Sequence, residues 1–269
     1  MHPETPSDPP RQHITLGGGP AAFTDSGTGP VVVLVHGLPG SARDYRWLGA
    51  ALQSRMRVIR VDMPGFGETP LSTQPSPTVA GRGQFVVELV RALDLDRPVL
   101  IGHSMGGAVV AAAAVSAPDL FRGVGLLASV GGRAHRSLRK MWPKPRWISQ
   151  VLSLPGIPWL ISGRLQREYA RHGFKGWTTE QLVHSMHCVA SLEFEAHAVN
   201  LSALTVPTLV AWCRDDPFVE ASICEETAHQ VPSGPRLIFD DGGHNLQKTH
   251  AISLADTITS WSVALPFDS

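Results

Sequence analysis

At 269 residues, 43% of them apolar and 17% charged, the chain has material for a sizeable core, as one large α/β domain or a domain carrying an insertion. Its 23 basic and 23 acidic residues cancel, so no global field favours nucleic acid or an anionic membrane, and no nucleic-acid partner is expected. Cys188, Cys213 and Cys224 have no metal-ligand spacing and fit reduced thiols in a cytoplasmic protein.

The opening "MHPETPSDPPRQH" is proline-rich and lacks an apolar h-region, so residues 1–20 are expected to be a flexible tail and not a secretory signal. "VVVLVHG" (31–37) is a continuous apolar run, the pattern of a strand buried on both faces. A helix is predicted over 44–54, a β-branched strand over 57–62 that stops at "MPGFGET", and a helix over 82–95, where apolar residues recur at helical spacing. "PVLIGHS" (98–104) is the next strand and 105–117 the next helix. The alanine-rich part of that helix is far short of the ~20 apolar residues that span a bilayer. "GVGLLASV" (123–130) is again a strand. Residues 131–204 hold Trp142, Trp147, Trp159 and Trp177, several prolines and a broken helical pattern; they are too many for a plain connection and predict an inserted helical subdomain. Strands follow at 207–213 and 235–241, with a final helix over 245–262. Apolar strands alternating with helices argue for a parallel sheet covered on both faces. Ligands of such sheets bind beyond the carboxyl ends of the strands, where the insertion would lie as a lid.

Several of these strand ends carry chemistry. In "GHSMGG", Gly102 and Gly106 stand two places before and after Ser104, with Gly107 behind them. A strand-to-helix turn that tight admits only residues without a β-carbon, and it pushes Ser104 outward as a candidate nucleophile. His244, in "FDDGGHNLQ", follows the last strand and falls at the same sheet edge, where it would serve as base. "VAWCRDDPFVE" offers Asp216 or Asp215 to orient that imidazole; Asp216 is preferred, with Asp215 capping the turn through its side chain. An oxyanion hole would use the Met105 amide at the start of a helix and the Leu38 amide of "HGLPGS".

With "HGLPGS" (36–41), "DMPGFGET" (62–69), "GHSMGG" (102–107), "DDPFV" (215–219) and "GGHNLQ" (242–247) in this order, the chain resembles the α/β-hydrolase family from about Val31 to Ser262. The resemblance implies an α/β-hydrolase fold: an eight-stranded, mostly parallel sheet flanked by helices, with a helical cap inserted after the sixth strand. The core would be residues 21–130 and 205–269, the cap 131–204. It also implies a Ser104–Asp216–His244 triad with no metal and no cofactor, supported by His36, Gly37, Gly102, Gly106 and Gly107. His36, His103 and Asp62 then read as scaffold. Similar haloalkane dehalogenases and epoxide hydrolases use an aspartate where this chain has Ser104. Similar carbon–carbon hydrolases usually carry Asn where it has His103.

The expected activity is that of a serine esterase acting on a lipophilic substrate. Alternatives are carbon–carbon hydrolysis of a diketone-type compound and a non-turnover small-molecule receptor on the same fold. "HSMHC" (184–188) reads as a cap helix and not as a metal site. Between Gly131 and Lys175 stand Arg133, Arg136, Arg139, Lys140, Lys144, Arg146, Arg164, Arg167, Arg171 and Lys175, opposed only by Glu168. Three readings of this excess follow: a solvated surface balanced by acidic 215–226, an arginine clamp for an anionic substrate, or peripheral contact with an anionic membrane.

Overall fold

The computed structural model describes residues 5–74, 76–139, 144–171 and 173–266. Eight strands form one sheet: β1 (Gln12–Leu16), β2 (Gly19–Ser26), β3 (Val31–Val35), β4 (Arg57–Val61), β5 (Val99–His103), β6 (Gly123–Leu127), β7 (Thr208–Cys213) and β8 (Arg236–Phe239), in the order β1-β2-β4-β3-β5-β6-β7-β8. β2 pairs antiparallel with β1 and β4; all other pairs are parallel. The strands with unbroken apolar runs became the centre because both their faces are covered: β5, β6 and β7 are buried at every residue.

The helices before β6 are α1 (Arg46–Leu52), α2 (Val79–Ala92) and α3 (Met105–Ser116); those between β6 and β7, the expected insertion, are α4 (Arg136–Arg139), α5 (Lys144–Leu152), α6 (Ile157–Arg171), α7 (Thr179–Ala190) and α8 (Phe194–Ala203). After β7 come α9 (Ala221–Gln230), α10 (Leu246–Thr249) and α11 (Ala251–Ala264). α1 and α11 cover one face of the sheet, where Leu48, Leu52, Leu254 and Ile258 meet Val32, Leu34 and Val58. α2, α3 and α9 cover the other, against Val33, Val35, Ile59 and Leu100. α3 has no polar face because it needs none: every residue from Met105 to Ala114 is buried.

Three expectations change. Of the tail expected over residues 1–20, the described part, 5–20, is not free: β1 and the start of β2 lie within it. Their sequence hid this because edge strand β1 is largely exposed and has no apolar run to read. The segment before β1 is also pinned, since Asp8 pairs with Arg43 and with the fully buried Arg60, each at 2.8 Å, and Arg11 with Asp62 at 3.0 Å. The predicted last helix is two helices. They break at His250, whose Nε2–H donates to the Asp241 carbonyl at 2.7 Å while its ring stacks on Phe239 at 3.9 Å. Finally, α9 lies between β7 and β8, where no helix was predicted.

The five helices α4–α8 connect β6 to β7. Their root is clamped to the loop after β7 and to α9. Arg133 makes a bidentate pair with Glu226, and Glu220 accepts from the Arg136 amide at 2.7 Å and from Arg139 at 2.5 Å. Arg146 pairs with Glu193 and Arg171 with Glu168. Much of the basic excess is thus spent locally or against 215–226. Arg136, Arg139, Arg146, Arg164, Arg167, Arg171 and Lys175 are exposed, so their exposed positions give the anionic-clamp reading no support. Lys140, Trp142 and the side chain of Lys144 lie outside the described residues.

Candidate active site

The parallel register brings the carboxyl ends of β3, β5, β7 and β8 to one edge, and with them the loops that hold the candidate residues. Ser104 follows β5 with φ 54° and ψ −121°, a strained conformation for a residue with a β-carbon. Backbone bonds hold it there: the Ser104 amide donates to Leu127 at 2.9 Å, and its carbonyl accepts from Gly107 at 3.0 Å. The elbow also needs its glycines. A Cβ on Gly102 would come within 2.3 Å of the Gly106 carbonyl oxygen, and one on Gly106 within 2.3 Å of that of Val35. On Gly107 it would meet the Ser129 hydroxyl at 2.1 Å. The Ser104 side chain does not cap α3, although it stands at the cap position.

The loop after β3 presses against this turn. A Cβ on Gly37 would lie 2.9 Å from that of Ser104, which places the adjoining Leu38 beside the elbow. His36 and Asp62 fix the loop. The His36 ring donates from Nδ1 to the Gly37 carbonyl at 2.7 Å and accepts the Met63 amide on Nε2 at 3.0 Å. Asp62 accepts from the Ala42 amide at 2.7 Å and the Glu68 amide at 3.1 Å. The Met105 amide opens α3, where backbone N–H groups have no carbonyl one turn back to bond.

Across the edge, His244 Nδ1 donates to Asp216 Oδ2 at 2.7 Å. The other carboxylate oxygen accepts from the Phe218 and Val219 amides at 2.8 and 3.1 Å. Burial pushes the Asp216 carboxyl up, but the His244 hydrogen bond and charge, with the two amides, hold it below the usual carboxylate range. Asp215 turns the other way and accepts from the amides of Gly242 and Gly243 at 3.2 and 2.8 Å, capping the turn that presents His244. His103 Nε2–H donates to the His244 carbonyl at 2.8 Å, and Phe218 meets the His244 ring edge-on at 5.1 Å.

His135 was missed in the sequence, since a single histidine in a loop has no spacing to betray it. Its ring donates to the Phe218 carbonyl; burial, then the neighbouring His244, lower its pKa to about 4. Its Nδ1 is buried with no partner among the described residues. Beside Ser104, Met105 joins Ala108 and Val130 with Leu138 and Leu192 of the insertion in an apolar cluster that Leu38 and Phe194 flank. In "HSMHC", His184 Nε2 lies 3.1 Å from the Pro64 carbonyl oxygen and 3.5 Å from Cys188 Sγ, with the Arg82 guanidinium beside both, while His187 Nδ1 turns to Ser149 Oγ at 2.5 Å. Among the described residues no group of three or more His, Cys, Asp or Glu could hold a metal ion.

Several buried histidines are neutral, above all His36 (about 4), His103 (about 3) and His197 of α8 (about 4), whose Nε2 lies 3.1 Å from the Val130 carbonyl oxygen. The unfolded chain protonates them below pH 6.5 and the folded one does not. Stability is therefore full above that value and falls as the pH drops toward 4, by up to about 1.4 kcal/mol per unit per ring. Urea unfolding between pH 7 and 4.5 should show midpoints moving steadily down; a flat profile would contradict the burial of these rings.

Residues 32–257 match the family described as "Alpha/beta hydrolase family". The chain belongs to the alpha/beta hydrolase family. Among this alpha/beta hydrolase's relatives, the uncharacterized hydrolase YugF of Bacillus subtilis is 26% identical over 229 residues, covering 79% of this chain and 82% of that one. The (E)-2-((N-methylformamido)methylene)succinate hydrolase of Acinetobacter baylyi is 23% identical over 253 residues, or 91% and 95% of the two chains. A thermophilic esterase from Thermogutta terrifontis shares the fold, with a TM-score of 0.73 at 23% identity over 94% of this chain and 97% of the other. No helix among the described residues is long and apolar enough to cross a membrane.

Proposed function

We propose that this alpha/beta hydrolase is a serine hydrolase that cleaves a carboxylic ester or related acyl compound through an acyl-enzyme on Ser104. The observation that carries the reading is a strained Ser104 at the sheet edge where His244, bonded through its carbonyl to the neighbouring His103, has its Nδ1 engaged by a buried carboxylate. With Nδ1–H donated to Asp216, Nε2 is left as the basic nitrogen. His244 Nε2 takes the Ser104 proton as Oγ attacks the carbonyl carbon. The Met105 and Leu38 amides stabilise the resulting oxyanion, and the C–O bond breaks as His244 returns the proton to the leaving alcohol. A water, deprotonated by the same nitrogen, then releases the acid. Residues 131–204 act as a cap, and the apolar cluster around Met105, Leu138 and Leu192 supports a lipophilic acyl portion.

Fluorophosphonate labelling with peptide mapping tests this directly, because such a probe reacts with a serine already activated by its base and oxyanion donors. Modification at Ser104 that disappears in His244→Ala is the expected result. Folded protein that stays unlabelled would overturn the assignment.

A further inference from the structure

The helical hairpin α5–α6 carries an apolar tip that the other described residues leave uncovered. Leu154, in the turn between the helices, is 55% exposed; Trp159 and Leu160, in the first turn of α6, are 84% and 82% exposed, and Trp147 on α5 is 67% exposed. Other exposed large apolar residues, such as Leu71, Ile238 and Ile252, are scattered singly and need no explanation. These four lie within a single hairpin and include its two tryptophans, which is the distribution of an interaction site.

Charge identifies the partner. Leu160, Arg164 and Arg167 follow one another at i, i+4 and i+7, on one stripe of α6, and both arginines are exposed. Against Arg164, Arg167 and Arg171 the helix sets a single acid, Glu168, which pairs with Arg171, so α6 keeps a net charge of +2. At 1.5 Å per residue, Arg164 stands about 6 Å and Arg167 about 10 Å behind Leu160 along the axis. An interfacial segment sinks its apolar residues about 5–10 Å into the headgroup and acyl boundary. A tip buried to that depth puts the two guanidinium groups at the level of the lipid phosphates, while the tryptophans take the interfacial position that indoles favour. Two copies of this chain meeting tip to tip would instead oppose like charges.

We propose that the α5–α6 hairpin docks this protein on an anionic phospholipid surface. Apolar tip and basic shaft act together: the tip supplies partitioning and the arginines supply selection for negative headgroups. The proposal stands apart from the hydrolase reading, because it concerns binding and not turnover.

Vesicle co-sedimentation of the full chain tests it, using phosphatidylcholine alone and phosphatidylcholine mixed with phosphatidylglycerol. The mixed vesicles should bind at least about tenfold more strongly, with a blue shift of tryptophan emission and loss of binding in high salt. Trp159→Ser with Leu160→Ser, and separately Arg164→Glu with Arg167→Glu, should each cut that binding about tenfold or more. All four positions are exposed, so circular dichroism and the melting temperature should be unchanged and report that the variants fold. Binding to neither vesicle, equal binding to both, or binding indifferent to the variants would overturn the proposal. So would concentration-dependent dimerisation that the tip variants abolish in the absence of vesicle binding, since it would assign the tip to a second copy.

Discussion

Ser104→Ala is expected to lower kcat/KM on acyl esters by about 10⁵–10⁶-fold, leaving only what oxyanion donors and binding supply by themselves. The fold should hardly notice. The Ser104 hydroxyl does not cap α3, and the positive φ is enforced by backbone bonds to Leu127 and Gly107 that alanine keeps. The change in unfolding free energy should stay within about 1 kcal/mol, the range of substitutions that touch no packing or network. Calorimetry beside steady-state kinetics checks both halves. Activity retained at a tenth of wild type in homogeneous protein would remove Ser104 from the chemistry. A large drop in melting temperature would instead make the loss of activity a consequence of misfolding.

What the sequence announced, it announced locally. The elbow was readable because its glycine spacing is a steric requirement of a few neighbouring backbone atoms, and those contacts are the ones found at Gly102 and Gly106. His36 and Asp62 were readable as scaffold for the same reason. What depended on distant partners was hidden. β1 is an edge strand held by pairing with β2 and by Asp8 and Arg11 reaching Arg60 and Asp62, none of which leaves an apolar pattern. His135 reaches the site because β6 and β7 are neighbours in the sheet, a fact of topology and not of spacing. The basic charge around Trp159 was readable, and with it a membrane contact as one of three readings, but the exposure of the tip was not. Periodicity says which residues share a helix face, but not whether another element covers it.

The choice between Asp215 and Asp216 shows how adjacent residues of one type divide a task, and it makes the second large prediction. Asp216→Asn is expected to lower kcat by about 10⁴-fold. The asparagine carbonyl would keep the Phe218 and Val219 amides, now at 2.8 and 3.1 Å. Its NH₂ would then face His244 Nδ1, which could only accept. The ring proton would move to Nε2, the nitrogen required to take the Ser104 proton, and the base would be blocked while its position survived. Asp215→Asn differs in kind. Its carbonyl can still accept one of the two amides of the Gly242–Gly243 turn, so one ordinary hydrogen bond is lost, about 0.5–1.5 kcal/mol of stability. Activity should fall less than about tenfold, because the ring's partner and tautomer are untouched. Kinetics of the two variants side by side separate the roles: an Asp215→Asn loss exceeding that of Asp216→Asn would mean that the carboxylate under the turn, and not the one on the ring, governs His244.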